Sequence, residues 1–292
     1  MVKGSFKDLF LGNPFLKSGL RGKARVMRSM TGAKSGTMIV VLACIPILLI
    51  ISGIYISGGT GSEESTFVVF VAGAVLQYLA IPPLFYNSVA GERERGSWEL
   101  LRVAPVSTVQ ILIGKFAAGF FVLLPWCIFF VGAAIISFLS PRAVGSDPAS
   151  MGGQVLGQFF ASASVLAAQG LFVAAVAMFL SCRMKRPFSA LMATYGLFAV
   201  LTMLIPYVLS LSPAWDKFEL ALYSNFLPFN QLTEIFFHGR SSSYDAEPFV
   251  RLHWAVYTLI HFAAALGLLF WAAVTLDFPD TSPKFLPKKK DA

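Results

Sequence analysis

Residues 87–107 read NSVAGERERGSWELLRVAPVS, and within them Glu92, Arg93, Glu94, Arg95, Glu99 and Arg102 crowd into eleven positions. The chain on either side is of another kind. Residues 67–86 hold no Asp, Glu, Lys or Arg, and residues 108–139 hold only Lys115. An ionised side chain near the centre of a bilayer costs several kcal/mol. The flanks therefore belong in lipid and the charged stretch in water, which makes it the tip of a hairpin between two membrane spans.

Composition extends that reading to the whole chain. Hydrophobic residues make up 56% of the 292 positions and charged residues 13%, where a soluble domain carries roughly a quarter charged. A hydrocarbon core of ~30 Å needs about 20 apolar residues per helix. Six runs meet that length, at 38–57, 67–89, 109–139, 158–180, 188–211 and 254–276. None alternates with period two, which argues against a β-barrel. The expected fold is an all-α integral membrane protein with six transmembrane helices. A basic segment, 1–37, precedes the transmembrane domain, 38–276, and a basic tail, 277–292, follows it.

Lysine and arginine set the expected orientation, because basic residues in short loops stay on the cytoplasmic side. With the N-terminus inside, only Arg142, Lys217, Arg240 and Arg251 of the 23 basic residues fall outside. One span more or fewer would scramble that split. Both termini are therefore expected in the cytoplasm of a cell-membrane protein. The net charge of +8 then reads as topology plus attraction to anionic lipid, with no nucleic-acid partner required. A basic stretch without a small-residue cleavage site precedes the first run, so no removable signal peptide is expected. Cys44, Cys127 and Cys182 form no C-x-x-C pair, which speaks against a disulfide framework or zinc site.

Ahead of the first span, Asn13-Pro14 is a helix start signal. Beyond it Leu16, Leu20, Ala24, Met27 and Met30 recur at helical spacing while Lys17, Arg21, Arg25 and Arg28 line another face. That pattern suits an interfacial helix in the inner headgroups. Pro82-Pro83 predicts a kink near the inner end of the second span. Ser107 with Gln110 predicts a capping box at the start of the third, whose Lys115 is expected to reach the headgroups. Small residues crowd the fourth run, as close helix packing in lipid demands, and Pro187 can open the fifth. Between 212 and 253, apolar residues in runs too short to span suggest an external helical segment before the last span.

Mid-span polar groups reduce to Gln77, Gln169 and His261. Helix-to-helix hydrogen bonds account for them best, with contact to a translocation path as the alternative. With no Asp, Glu, Lys or Arg in the middle of the runs, a proton- or sodium-driven transporter is disfavoured. Catalytic signatures are missing as well: there is no H-E-x-x-H, no G-x-S-x-G, no P-loop and no candidate metal site. Energy for any work has to come from another subunit.

On composition alone, a solvated hairpin that merely separates two spans is the simpler account of 92–102. A short helix with Arg95 and Glu99 paired four apart, and with Trp98 protruding beside Leu101, would instead seat in a groove on a soluble partner. The string GERERGSWELLRVAPVS, followed by Ile111-Leu112-Ile113-Gly114-Lys115, resembles the signature of ABC-2 type transporter permeases, with Trp98 standing where the family often has a smaller residue. The basic helix, the six spans and the long outer stretch agree with it. Residues 227–239, LPFNQLTEIFFHG, are similar to the branch of gliding-motility and copper-enzyme-maturation permeases.

The resemblance implies a permease subunit of an ATP-binding-cassette transporter, an exporter, with no catalytic residue and no cofactor of its own. ATP would be bound by separate ABC ATPase subunits, and the permease would act as a homodimer or with a related permease. Glu92, Arg93, Glu94, Arg95, Gly96, Ser97, Trp98 and Glu99 would form the cytoplasmic coupling helix that receives the ATPase stroke. The interfacial helix of Leu16, Lys17, Leu20, Arg21, Arg25, Met27 and Arg28 would move with it. The alternative is a non-transporting membrane component that docks or regulates a cytoplasmic partner.

Overall fold

The computed structural model describes residues 62–98, 107–120, 148–211, 226–237 and 253–277. The expected span 38–57, the remainder of the third span, the interfacial-helix residues Leu16 to Arg28, and Glu99 lie outside them. Every regular element among the described residues is helical. Among them, in chain order, are α1 (Ser62–Ala80), α2 (Pro82–Phe85), α3 (Ala90–Glu94), α4 (Thr108–Phe120), α5 (Pro148–Arg183), α6 (Pro187–Ala199), α7 (Ile205–Leu211), α8 (Pro228–Phe237) and α9 (Trp254–Asp277).

Four stretches are long and apolar enough to cross a membrane: Phe67–Glu94, Gly157–Arg183, Pro187–Val208 and Trp254–Leu276. They coincide with the second, fourth, fifth and sixth expected spans. α4 is the opening of the third. The protein is an all-α membrane protein.

α5 is the central post. Its membrane stretch is 72% buried, against 17% for the α6–α7 stretch and 28% for α9. It packs against α1, α2, α3, α6, α8 and α9. Lipid supplies no hydrophobic drive between helices, so contact must come from close backbone approach and hydrogen bonds. The small residues of α5 provide both: Ala161, Ser162, Ala168, Ala174, Ala175 and Ala177 are all buried. At Gly170 a Cβ would sit 3.3 Å from the Gln77 side chain of α1, so the bare backbone is what lets α1 lie this close.

Two apolar clusters fill the bundle. The one at the charged end joins Phe85, Val89, Trp98, Ile111, Leu112, Met178, Cys182 and Leu276. At the opposite end Val69, Phe70, Leu166, Leu232 and Phe236 pack together. Leu232 and Phe236 belong to α8, the external helix expected before the last span, which lies against α1 and α5. Its ring contacts are with Phe67 and Phe70, both at 5.9 Å from Phe236.

The prolines act as the sequence suggests. α1 ends at Ala80 and α2 resumes at Pro82, with Ile81 between them in helical φ/ψ. Pro83 has no N–H for the Leu79 carbonyl, and the Tyr195 hydroxyl of α6 donates to that oxygen at 2.8 Å. A neighbouring helix thus satisfies what the proline released, as a non-aqueous surrounding requires. Pro187 is the first residue of α6, after Arg186 in extended conformation. A π-helical turn over Val200–Leu204, closed by the Ile205 N–H to the Val200 carbonyl, separates α6 from α7. Pro206 accounts for it: its ring clashes with the carbonyl four residues back, and the wider turn relieves the clash.

Candidate functional site

The charged segment begins where α2 ends. α3 covers Ala90 to Glu94 and stops because Gly96 takes φ +70°, a left-handed conformation that other residues adopt only with strain. The turn is closed by Arg95 N–H to the Gly91 carbonyl at 3.2 Å and Gly96 N–H to the Arg93 carbonyl at 3.1 Å. Ser97 donates its hydroxyl to the Glu92 carbonyl at 3.3 Å, bringing the chain back under α3.

The expected continuous helix is therefore interrupted at Arg95-Gly96 before helical conformation returns at Ser97-Trp98, and Glu99, the expected partner of Arg95, lies outside the described residues. A Cβ at Gly96 would meet nothing within 4 Å, so an alanine there carries only the backbone penalty. Gly96→Ala is expected to destabilise the turn by about 1–2 kcal/mol, read as faster proteolysis at 93–98 with the remaining cleavage sites unchanged.

Trp98 corrects the sequence reading. It does not protrude: its side chain is 7% exposed and belongs to the apolar cluster at this end. The Arg93 guanidinium lies 5.9 Å from the ring centroid, within cation–π range. Glu94, Arg95 and Gly96 are the exposed residues, so water meets a charged tip rather than an indole.

Lys115 departs from expectation in the same direction. Instead of reaching outward, its ammonium contacts Glu92 Oε1 at 2.5 Å and donates to the Ser88 carbonyl at 2.8 Å. The two side chains are 13% and 26% exposed. Glu92 Oε2 is buried and has no hydrogen-bond partner among the described residues. α4 is aimed at this contact by its own first turn. Ser107 N–H donates to Gln110 Oε1 at 3.2 Å and Gln110 N–H to Ser107 Oγ at 3.3 Å, the reciprocal capping box that the sequence predicts.

A third anchor comes from Ser181, near the end of α5, where the sequence offers only an ordinary loop entry. Its hydroxyl accepts from Val89 N–H and Ala90 N–H, both at 3.1 Å, and donates to the Tyr86 carbonyl at 2.8 Å. Nothing in the sequence around Ser181 marks it, because the residues it serves are about ninety positions away.

The mid-span polar groups meet around one stretch of α5. Gln169 donates to the Ala74 carbonyl at 3.3 Å, and Gln77 lies over Gly170. His261 packs edge-on to Phe172 at 5.2 Å, stacks on Tyr257 at 3.9 Å, and keeps Nδ1 at 3.0 Å from the Tyr257 carbonyl. Gln77 Oε1, Gln169 Oε1 and the Tyr257 hydroxyl are buried without partners among the described residues. At the charged end, Arg183 lies over Phe179 and Trp271, at 5.6 and 6.0 Å, the pairing of cation and aromatic usual at a membrane–water boundary. Among the described residues there is no group of His, Cys, Asp and Glu that could hold a metal.

No curated protein matches the chain. The family model described as ABC-2 family transporter protein matches residues 63–278, which include α3, all three anchors and the four membrane-crossing stretches. An all-helical membrane bundle that holds a charged water-facing segment at one end is thus the frame of a transporter's membrane subunit, and this chain belongs to the ABC-2 family of transporter proteins.

Proposed function

We propose that the chain is the permease subunit of an ATP-binding-cassette exporter, driven by separate ATPase subunits that dock on the 92–99 segment from the cytoplasm. Two permease subunits, identical or related, would form the path, with both termini inside the cell and the basic Arg183, Lys185 and Arg186 at the anionic lipid surface. The observation that carries this reading is the anchoring of α3. A hairpin that only separates two spans needs no fixed geometry, whereas this one is tied to α4 by an ion pair and to α5 by a three-bonded hydroxyl. Glu94 and Arg95 remain exposed at its tip. A lever needs that combination of a firm root and a free contact surface.

The test uses a photo-crosslinking residue at Glu94 or Arg95 in the full chain, co-expressed with its partner ATPase and reconstituted in proteoliposomes. A crosslink from the tip to the ATPase, together with ATP-dependent flux of cargo from a compound screen, is the expected result. A crosslink with no flux for any compound would favour the docking component without transport. Labelling of the tip from the outer side of the membrane would end both readings.

A further inference from the structure

We infer that Ser181 is a positioning residue that links motion of the charged segment to α5, the central helix of the bundle; this rests on the coupling role proposed above. A hydroxyl offers one donor and two acceptor sites, and Ser181 uses all three outside its own helix. That is unusual among the described residues. The hydroxyls of Ser164, Thr194, Thr202, Thr258 and Thr275 each donate to a carbonyl three or four residues back in their own helices, at 2.7 to 3.0 Å. Such back-bonding is the ordinary resting place of a hydroxyl in a helix.

The position of the three bonds gives the exception its meaning. In a continuous helix the Ala90 N–H would bond to the Tyr86 carbonyl. Here the Ser181 oxygen stands between them, accepting from Ala90 and donating to Tyr86, while Val89 N–H supplies the second acceptor bond. A side chain from another helix has been inserted into the hydrogen-bond ladder, which is a recognised cause of a helix break. The break separates α2, inside the apolar cluster, from α3, which carries the charges.

Ser181 is fully buried, so water has no access to replace it. If α3 is displaced relative to α2, either these bonds break or the end of α5 follows. α5 in turn packs against α1, α6, α8 and α9, so a displacement received at Ser181 is handed to the rest of the bundle. The contact between Lys115 and Glu92 ties α3 to α4 and leaves α5 untouched.

The experiment compares hydrogen exchange in the reconstituted permease–ATPase complex, nucleotide-free and trapped with ATP and vanadate. In the wild type, trapping is expected to alter exchange both in peptides covering 86–94 and in those covering 176–186. In Ser181→Ala the first response should persist and the second should fall at least five-fold, with the ATPase still co-purifying. Ser181→Thr, which keeps the hydroxyl, should restore most of it. If Ser181→Ala does not accumulate, Ser181→Cys replaces it, and its weaker bonds should give an intermediate response. A wild-type response at 176–186 in the alanine or cysteine variant overturns the inference and leaves the coupling role intact. A wild type that shows no nucleotide response at 86–94 overturns the coupling role itself, and the inference with it.

Discussion

A chain carrying Lys115→Glu will lose about ten-fold or more of its effect on the ATPase, and the double variant Glu92→Lys with Lys115→Glu will recover the larger part. Coupling is read as the change in ATP hydrolysis when the ATPase assembles with the permease in lipid nanodiscs. The single change sets a second carboxylate where the ammonium contacted Glu92 Oε1 and removes the donor to the Ser88 carbonyl. Glu92 Oε2 is already without a hydrogen-bond partner among the described residues, so the other oxygen offers no relief. Fully exposed ion pairs contribute about 0–1 kcal/mol, and breaking a buried pair costs about 3–5 kcal/mol. At 13% and 26% exposure this pair lies between them, near ~2 kcal/mol, which shifts a local equilibrium by about 30-fold.

The swap restores attraction between residues 92 and 115. It leaves recovery incomplete, because a glutamate at 115 has no proton to give Ser88. Equal activity in wild type and Lys115→Glu would remove the ion pair from the mechanism. Loss in Lys115→Glu and in Glu92→Lys alone, with no recovery in the swap, would mean that the individual charges, and not their contact, matter to the partner.

The fold was legible because its signals are one-dimensional. Run length against bilayer thickness located four membrane-crossing stretches near their observed bounds, and Ser107 with Gln110 marked the start of α4 from local chemistry alone. Proline behaved likewise: the break at Ile81 and the opening of α6 at Pro187 follow from a missing N–H and a fixed φ. Pro206 carried the same information about the π-helical turn, and the sequence reading passed over it.

The candidate site was legible as a location and misread as a surface. Periodicity says which residues of 92–99 share a face only while the helix continues, and Gly96 ends it. Burial of Trp98 depends on Phe85, Ile111, Leu112 and Cys182, which come from three other parts of the chain. Ser181 and Lys115 were invisible as anchors for the same reason, since a hydroxyl and an ammonium show nothing of their partners until distant segments meet.

Trp98→Ala should be the most destabilising single change among the described residues of the charged segment, lowering the permease's own thermal transition by about 5–12 °C with no partner present. Truncating a buried tryptophan in a soluble core costs about 3–5 kcal/mol. In lipid the transfer part of that cost falls away, since unfolded helices remain among acyl chains, and lost packing contacts remain. Trp98 lies past the apolar stretch, with the charged Arg93 guanidinium 5.9 Å from its ring centroid, so it keeps part of the transfer cost as well. An intermediate value of about 2–4 kcal/mol follows, and for a chain of this size each kcal/mol moves the transition by about 2–4 °C.

Trp98→Phe, which retains a ring in the cluster, should lose well under half as much. The comparison also separates two mechanical pictures of the segment. If the indole were a docking knob for the ATPase, the alanine variant would melt like wild type in isolation and fail only in co-purification. A buried indole predicts the reverse order: the permease weakens first, and the partner is lost only as the charged tip comes away from the bundle that holds it.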